Sequence, residues 1–169
     1  EASLKKIKEK VDTLITVSND KLLTTLEPNT TVANAFWICD ETLRQAVQGI
    51  SDLIVLPGII NINFADVRAI MKDSGSAIFG MGIAKGEGRA KEAVRRALNS
   101  PLIDVSYKGA KGVLFNVSGG KDISLSEIDE AAKLITSEVS QEARIIFGAI
   151  KDEKLKQGEI KVTVIATGF

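Results

Sequence analysis

TVANAFWICDETLRQAVQGISDLIVLPGIININFADVRAIM, from Thr31 to Met71, decides the fold. Between Val32 and Ile54 the apolar residues are Val32, Phe36, Cys39, Leu43, Ala46, Val47, Ile50, Leu53 and Ile54. They recur at steps of three and four, which is one face of a helix. At about 1.5 Å per residue such a helix is on the order of 34 Å long, enough to cross a small domain. Thr30 or Thr31 can cap its start. Pro57-Gly58 stops it, because proline disfavours a helical residue before it and glycine permits the turn. Ile59 to Asp66 then forms a tight loop in which Asn61, Asn63 and Asp66 alternate with large apolar residues. Phe64 to Lys72 begins a second helix.

Composition narrows the classes. The 169 residues suffice for one ordinary domain, or one domain plus part of another. Lysine plus arginine and aspartate plus glutamate number 22 each, so no global field draws nucleic acid or a membrane surface. The basic cluster Arg89, Lys91, Arg95 and Arg96 is expected to be the solvated face of one amphipathic helix. There is no histidine, which excludes a Ser-His-Asp triad, a Cys-His pair and any histidine metal site. Cys39 is the only cysteine, and its place on the apolar face predicts a buried thiol. No apolar run approaches the ~18 residues of a membrane span, and no signal peptide opens the chain. A reduced cytoplasmic setting is the simplest expectation.

Working outward from the long helix, Leu4, Ile7 and Val11 mark one face of a short charged helix from Ser3 to about Lys10. Thr13 to Val17 is β-branched and apolar and reads as a strand. Ser18-Asn19-Asp20 ends it and can cap a short helix through Leu26. A lone strand cannot satisfy its backbone groups. The first thirty residues are therefore expected to be the tail of a domain whose other strands lie outside this sequence. Downstream, strands are expected at Ala77–Ala84, Gly112–Val117, Ala143–Ile150 and Ile160–Ala166, and the short connection between the last two allows an antiparallel pair. Helices are expected at Arg89–Leu98 and from Leu125 to about Val139, the latter behind a Ser124–Glu127 capping box. The second half thus reads as an α/β sandwich of four strands.

Glycine-rich spots do not make a phosphate loop. Gly120-Lys121 is followed by Asp122, which breaks the Walker pattern, and Gly80 and Gly82 meet Lys85 where a third glycine is needed. These glycines are expected to permit close packing. Two constellations remain. Asn63 is placed to cap the helix beginning at Phe64, and Asp66 falls in its first turn, where the dipole favours a negative charge. The functional alternative is that Asn61, Asn63 and Asp66 converge to orient a water or a cation at a phosphate. Phe36 and Asp40 lie one helical turn apart, with Asn19 as a possible companion. They could stack a purine and accept from its N–H groups. Otherwise Phe36 belongs to a core and Asp40 to solvent.

Taken together these segments resemble FtsZ, the bacterial tubulin homologue. The matching text is Val11-Asp12-Thr13-Leu14-Ile15 with Ser18-Asn19-Asp20-Lys21-Leu22-Leu23, then Leu43 through Ile54. It continues with Phe64-Ala65-Asp66-Val67-Arg68, Gly119-Gly120 and the closing Val162 to Phe169. The match runs along essentially the whole chain but corresponds to the second half of the family's core. The family's GGGTGTG phosphate loop is absent from this sequence. The resemblance implies the end of a nucleotide-binding domain over 1–30, a central helix over 31–55, a synergy loop and following helix over 56–72, and a C-terminal α/β domain over 73–169.

It also implies a function. FtsZ is a GTPase that assembles head to tail into filaments at the division site. The loop after the central helix of one subunit completes the hydrolytic site on its neighbour's GTP. Carried onto this sequence, the catalytic set is Asn61, Asn63 and Asp66, and the nucleotide-binding set is Asn19, Phe36 and Asp40. GTP or GDP, with Mg2+ beside the nucleotide, is expected in the intact protein, with no resident metal and no cofactor in this stretch alone. The implied partners are a head-to-tail homopolymer and division proteins reached through regions not in this sequence, without nucleic acid and without direct membrane insertion. The implied location is the cytoplasm at the division site. The family's loop pattern is Asn-x-Asp-x-x-Asp, and here the middle position is Asn63, which exchanges a carboxylate for an amide. Ser18 stands where the family usually has proline. A scaffold without turnover, a fragment that caps filaments, and a regulatory pocket near Asn116 and Thr163 are the competing expectations.

Overall fold

The structure is a computed structural model, and residues 2–16, 29–100 and 107–169 are described. In chain order the elements are α1 (Ala2–Lys8), β1 (Thr13–Ile15), α2 (Val32–Val55), β2 (Gly58–Ile60), α3 (Phe64–Met71), β3 (Gly75–Lys85), α4 (Arg89–Leu98), β4 (Gly112–Gly119), α5 (Leu125–Glu138), β5 (Arg144–Lys151) and β6 (Glu159–Thr167), with a 3-10 turn at Tyr107–Gly109. All six strands join one sheet in the order β1-β3-β6-β4-β5-β2. β3 and β6 pair antiparallel from Ala77↔Thr167 to Lys85↔Glu159. β4 lies between β6, to which it is antiparallel, and β5, to which it is parallel.

Two expectations change here. The four strands expected in the second half are β3 to β6, and β1 and β2 join the same sheet to make six. β1 finds a parallel partner in β3, with Thr13 opposite Gly75 and Ile15 opposite Ala77, so the strand expected to be alone is an edge strand of this chain's own sheet. β2 was expected as loop, yet its three residues pair antiparallel with the outer edge of β5, with an irregularity between Gly58 and Ile60. The final strands β5 and β6 do run in opposite directions, but β4 separates them. The short helix predicted between Ser18 and Leu26 lies outside the described residues.

Alternation along the strands divides the core in two, as a period of two requires. On one face Val113, Phe115, Val117, Val162 and Val164 pack beneath α4 and α5 through Ala93, Val94, Ala97, Ile128 and Ile135. Phe115 stacks on Phe147 at 5.5 Å between ring centres. On the other face Ala77, Phe79, Leu114, Ile150 and Ile165 meet Ala46 and Leu53 of α2 and Val67 and Ile70 of α3. Gly80 and Gly82 let α4 approach backbone to backbone. A Cβ on Gly80 would lie 2.1 Å from the Ala97 carbonyl oxygen, and one on Gly82 would lie 2.1 Å from that of Ala93.

The basic residues of α4 are not all solvated. Arg89 is buried, bridging Glu127 (2.6 Å from Nε) and Asp122 (2.6 Å from Nη1), and it also donates to the Asp122 carbonyl at 3.0 Å. Arg95 and Arg96 stay exposed and share Glu92. A fully buried Ala93 and Ala97 on the opposite side explain why the stripe pattern still reads correctly as one amphipathic helix.

Candidate functional site

The loop that follows α2 is held by its own polar side chains. Asn61 Oδ1 accepts from the Gly58 N–H at 2.8 Å, closing the turn behind the proline. Asn63 Oδ1 accepts from the Asp66 N–H at 2.9 Å, and Asp66 Oδ2 accepts from the Asn63 N–H at 3.3 Å. This reciprocal capping box starts α3 and ties two of the three candidate residues to each other. Ile62 is buried between the two asparagines, and its side chain lies against Gly148 on β5. The alternation therefore turns Ile62 inward and Asn61 and Asn63 outward, both exposed, with Asp66 half-buried beside them. Both structural and functional assignments of Asn63 and Asp66 share one geometry: the caps fix the very groups that face solvent.

At the other end of α2, Thr31 supplies the cap by accepting from the Asn34 N–H at 3.3 Å. Phe36 is 62% exposed and Asp40 is exposed, one turn further on. Phe36 is thus not part of a core among the described residues. Asn19 lies outside the described residues. Cys39 is half-buried, not the fully buried thiol expected from its face.

α2 carries more apolar surface than the described residues cover. Ala46, Gly49 and Leu53 are buried against the sheet. Val32, Phe36, Leu43, Val47 and Ile54 form a second stripe, rotated from the first by about 100° at the helical repeat, and all are exposed. Periodicity found the helix but merged the two stripes into one face. At 24 residues the helix is about 36 Å long, so the Phe36–Asp40 pair and the Asn61–Asp66 loop stand at its opposite ends.

A cleft of about 240 Å³ opens between α2 and the sheet, lined by Gln48, Gly49, Asp52, Met81, Lys161 and Thr163 among others. Asn116 is not in it. Its Nδ2 donates to Ser118 Oγ at 2.7 Å while its buried Oδ1 has no protein partner. Asn116 instead lines a separate small void with Leu53, Gly58, Asn61 and Ile150. The pocket expected near both Asn116 and Thr163 is thus two spaces. Among the described residues no three histidine, cysteine or acidic side chains cluster to hold a metal ion.

Residues 75–169 match the FtsZ family, C-terminal domain. The chain belongs to the FtsZ family. The cell division protein FtsZ of Magnetospirillum gryphiswaldense is 47% identical over 170 residues, covering 100% of this chain and 30% of that protein. A solved FtsZ dimer from M. jannaschii superimposes with a TM-score of 0.89 at 42% identity, covering 98% of this chain and 48% of that one. A GTPγS-bound protofilament of CetZ2 from Haloferax volcanii shares the fold, with a TM-score of 0.72 at 18% identity over 98% of this chain and 48% of its own. The chain thus spans about a third of the curated FtsZ relative and about half of the solved FtsZ chain. The mixed α/β sheet with a long helix against one face is the FtsZ fold of this region.

Proposed function

We propose that this chain belongs to a filament-forming GTPase of cell division, in which the loop Asn61–Asp66 completes the hydrolytic site on the neighbouring subunit's GTP. The observation that carries it is a rigid loop with outward polar groups at the tip of a long helix. Phosphoryl transfer to water asks mainly for positioning and electrostatic support. Asp66 supplies a carboxylate that can orient the attacking water, and Asn61 and Asn63 supply amides that can hold the phosphate or the water. At the other tip, Phe36 offers a ring face and Asp40 an acceptor, which suit a purine base and its N–H groups. Those residues fit the base edge of a nucleotide, whereas the described residues offer no carboxylate cluster for a magnesium cage. Magnesium, when bound with GTP, neutralises charge on the phosphates. A head-to-tail contact of this kind does not close and so extends into a filament. Hydrolysis then depends on assembly, because the water-orienting group comes from the next subunit. The setting that goes with this function is the cytoplasm at the division site, with a homopolymer as the partner. The second, uncovered stripe of α2 supports its place between two bodies.

One observation favours a second function, a tubulin-like scaffold that turns over little GTP. Asn63 occupies the family's middle aspartate position, and an amide neither takes a proton nor holds a cation as a carboxylate does. GTP turnover of the full-length protein with Asn63 against Asn63→Asp separates the two. The variant is expected to hydrolyse faster. Equal rates would remove the role assigned to this position, and no turnover in either would leave the scaffold.

A further inference from the structure

Lys161 occupies an inward position on β6, on the same face as Thr163 and Ile165 and beneath the end of α2. A mostly buried ammonium is costly unless it is paired. Here it has two carboxylates. Its Nζ donates to Asp152 Oδ2 at 2.9 Å and lies 3.6 Å from Asp52 Oδ2 on α2. The two sides of this triad differ. Asp152 is fastened to the sheet frame: its Oδ1 accepts from the Lys154 N–H at 3.0 Å, and its own N–H donates to the Gly119 carbonyl at 2.9 Å. Burial alone would raise its carboxyl pKa, yet the hydrogen bonds from Lys161 and Lys154 outweigh that and hold it below its ordinary value. Asp52 has a second bond of its own, from Gln48 Nε2 at 2.6 Å.

On the sheet-facing side of α2, Ala46, Gly49 and Leu53 are buried, and Ile50 packs partly buried beside them. Apolar burial sets the helix against the sheet, and beyond its end β2 is paired to β5 and Ile62 packs on Gly148. An ion pair has a defined place. We propose that Lys161 is a positioning residue: by fastening Asp52 to the Asp152 frame it sets the axial position of α2 and, through it, the placement of the Asn61–Asp66 loop. Asp52 lies one turn before Val55, where the helix ends and the chain passes through Pro57 into that loop. Lys161 acts through the helix and touches neither nucleotide nor the loop side chains.

This inference rests on the proposed role of the loop, and its test separates the two. In the full-length protein, Lys161→Met is compared with wild type, Lys161→Arg and Asp52→Asn. Two quantities are read: amide hydrogen exchange by segment and GTP turnover under saturating nucleotide. Lys161→Met and Asp52→Asn are expected to speed exchange over residues 53–64 by about fivefold or more, with β4 and α5 unchanged. They are expected to lower maximal turnover by roughly tenfold without weakening nucleotide affinity, and Lys161→Arg is expected to restore both. Unchanged exchange over 53–64, or exchange raised equally throughout the domain, would overturn the positioning role. Local exchange without a fall in turnover would overturn its link to hydrolysis. Absence of turnover in the wild type would instead count against the proposed GTPase.

Discussion

At the scale of single residues, side chains with structural duties can be separated from the chemistry assigned to them. Asparagine and aspartate are equivalent helix caps. Asn63→Asp should therefore leave the unfolding midpoint nearly unchanged while raising GTP turnover by about tenfold or more, since it adds a charge where negative charge would orient water or cation. Asp66→Asn is the complementary change. It keeps an oxygen to accept from the Asn63 N–H but removes the charge, so turnover should fall while thermal unfolding stays within about 0.5 kcal/mol. Arg89 belongs to a different set. Its guanidinium donates to Glu127 and holds that carboxyl down at about 2, far below its ordinary 4.5. A depressed folded pKa stabilises above the unfolded value and loses that contribution as pH falls through the folded one. The urea midpoint should therefore drop as pH is lowered from about 4.5 towards 2. Arg89→Met should remove most of that dependence and cost about 2–3 kcal/mol at neutral pH, because two carboxylates lose their shared partner.

At the scale of elements, the close contact of β3 with α4 depends on two missing side chains. Gly80→Ala would drive a methyl onto the Ala97 carbonyl and the Tyr107 hydroxyl, which lies 3.2 Å from that carbonyl and donates to it. A loss of about 2–3 kcal/mol in chemical denaturation is expected from the clash, against about 1 kcal/mol for alanine at Gly86, which faces open space and is strained only by its positive φ. The long helix, its threonine cap, the Ser124–Glu127 box and four central strands were legible because they rest on local periodicity and cap chemistry. β2 was not, since three residues carry too few alternations to register, and pairing with β5 is a tertiary event. β1 was legible as a strand, but its partner was not. The burial of Arg89 escaped because the groups that neutralise it sit 33 and 38 residues away. Asn63 and Asp66 were legible as caps, while Lys161 was hidden, since its partners come from α2 and the loop after β5.

At the scale of the whole molecule, one long helix carries a buried stripe, an uncovered stripe and two exposed tips. In a head-to-tail filament each tip would serve a different nucleotide, so neither set could act alone. Defects at the two tips should then complement each other. Two full-length variants provide the test: Asp66→Asn, with a nucleotide edge but no hydrolytic carboxylate, and Asp40→Ala, with an intact loop but a weakened nucleotide edge. The measurement is GTP turnover for each alone and for an equimolar mixture at the same total concentration. Both variants should be nearly inactive alone, and the mixture should regain a substantial fraction of wild-type turnover, through contacts that pair a good loop with a bound GTP. A mixture no more active than the mean of its two components would contradict a site shared between subunits.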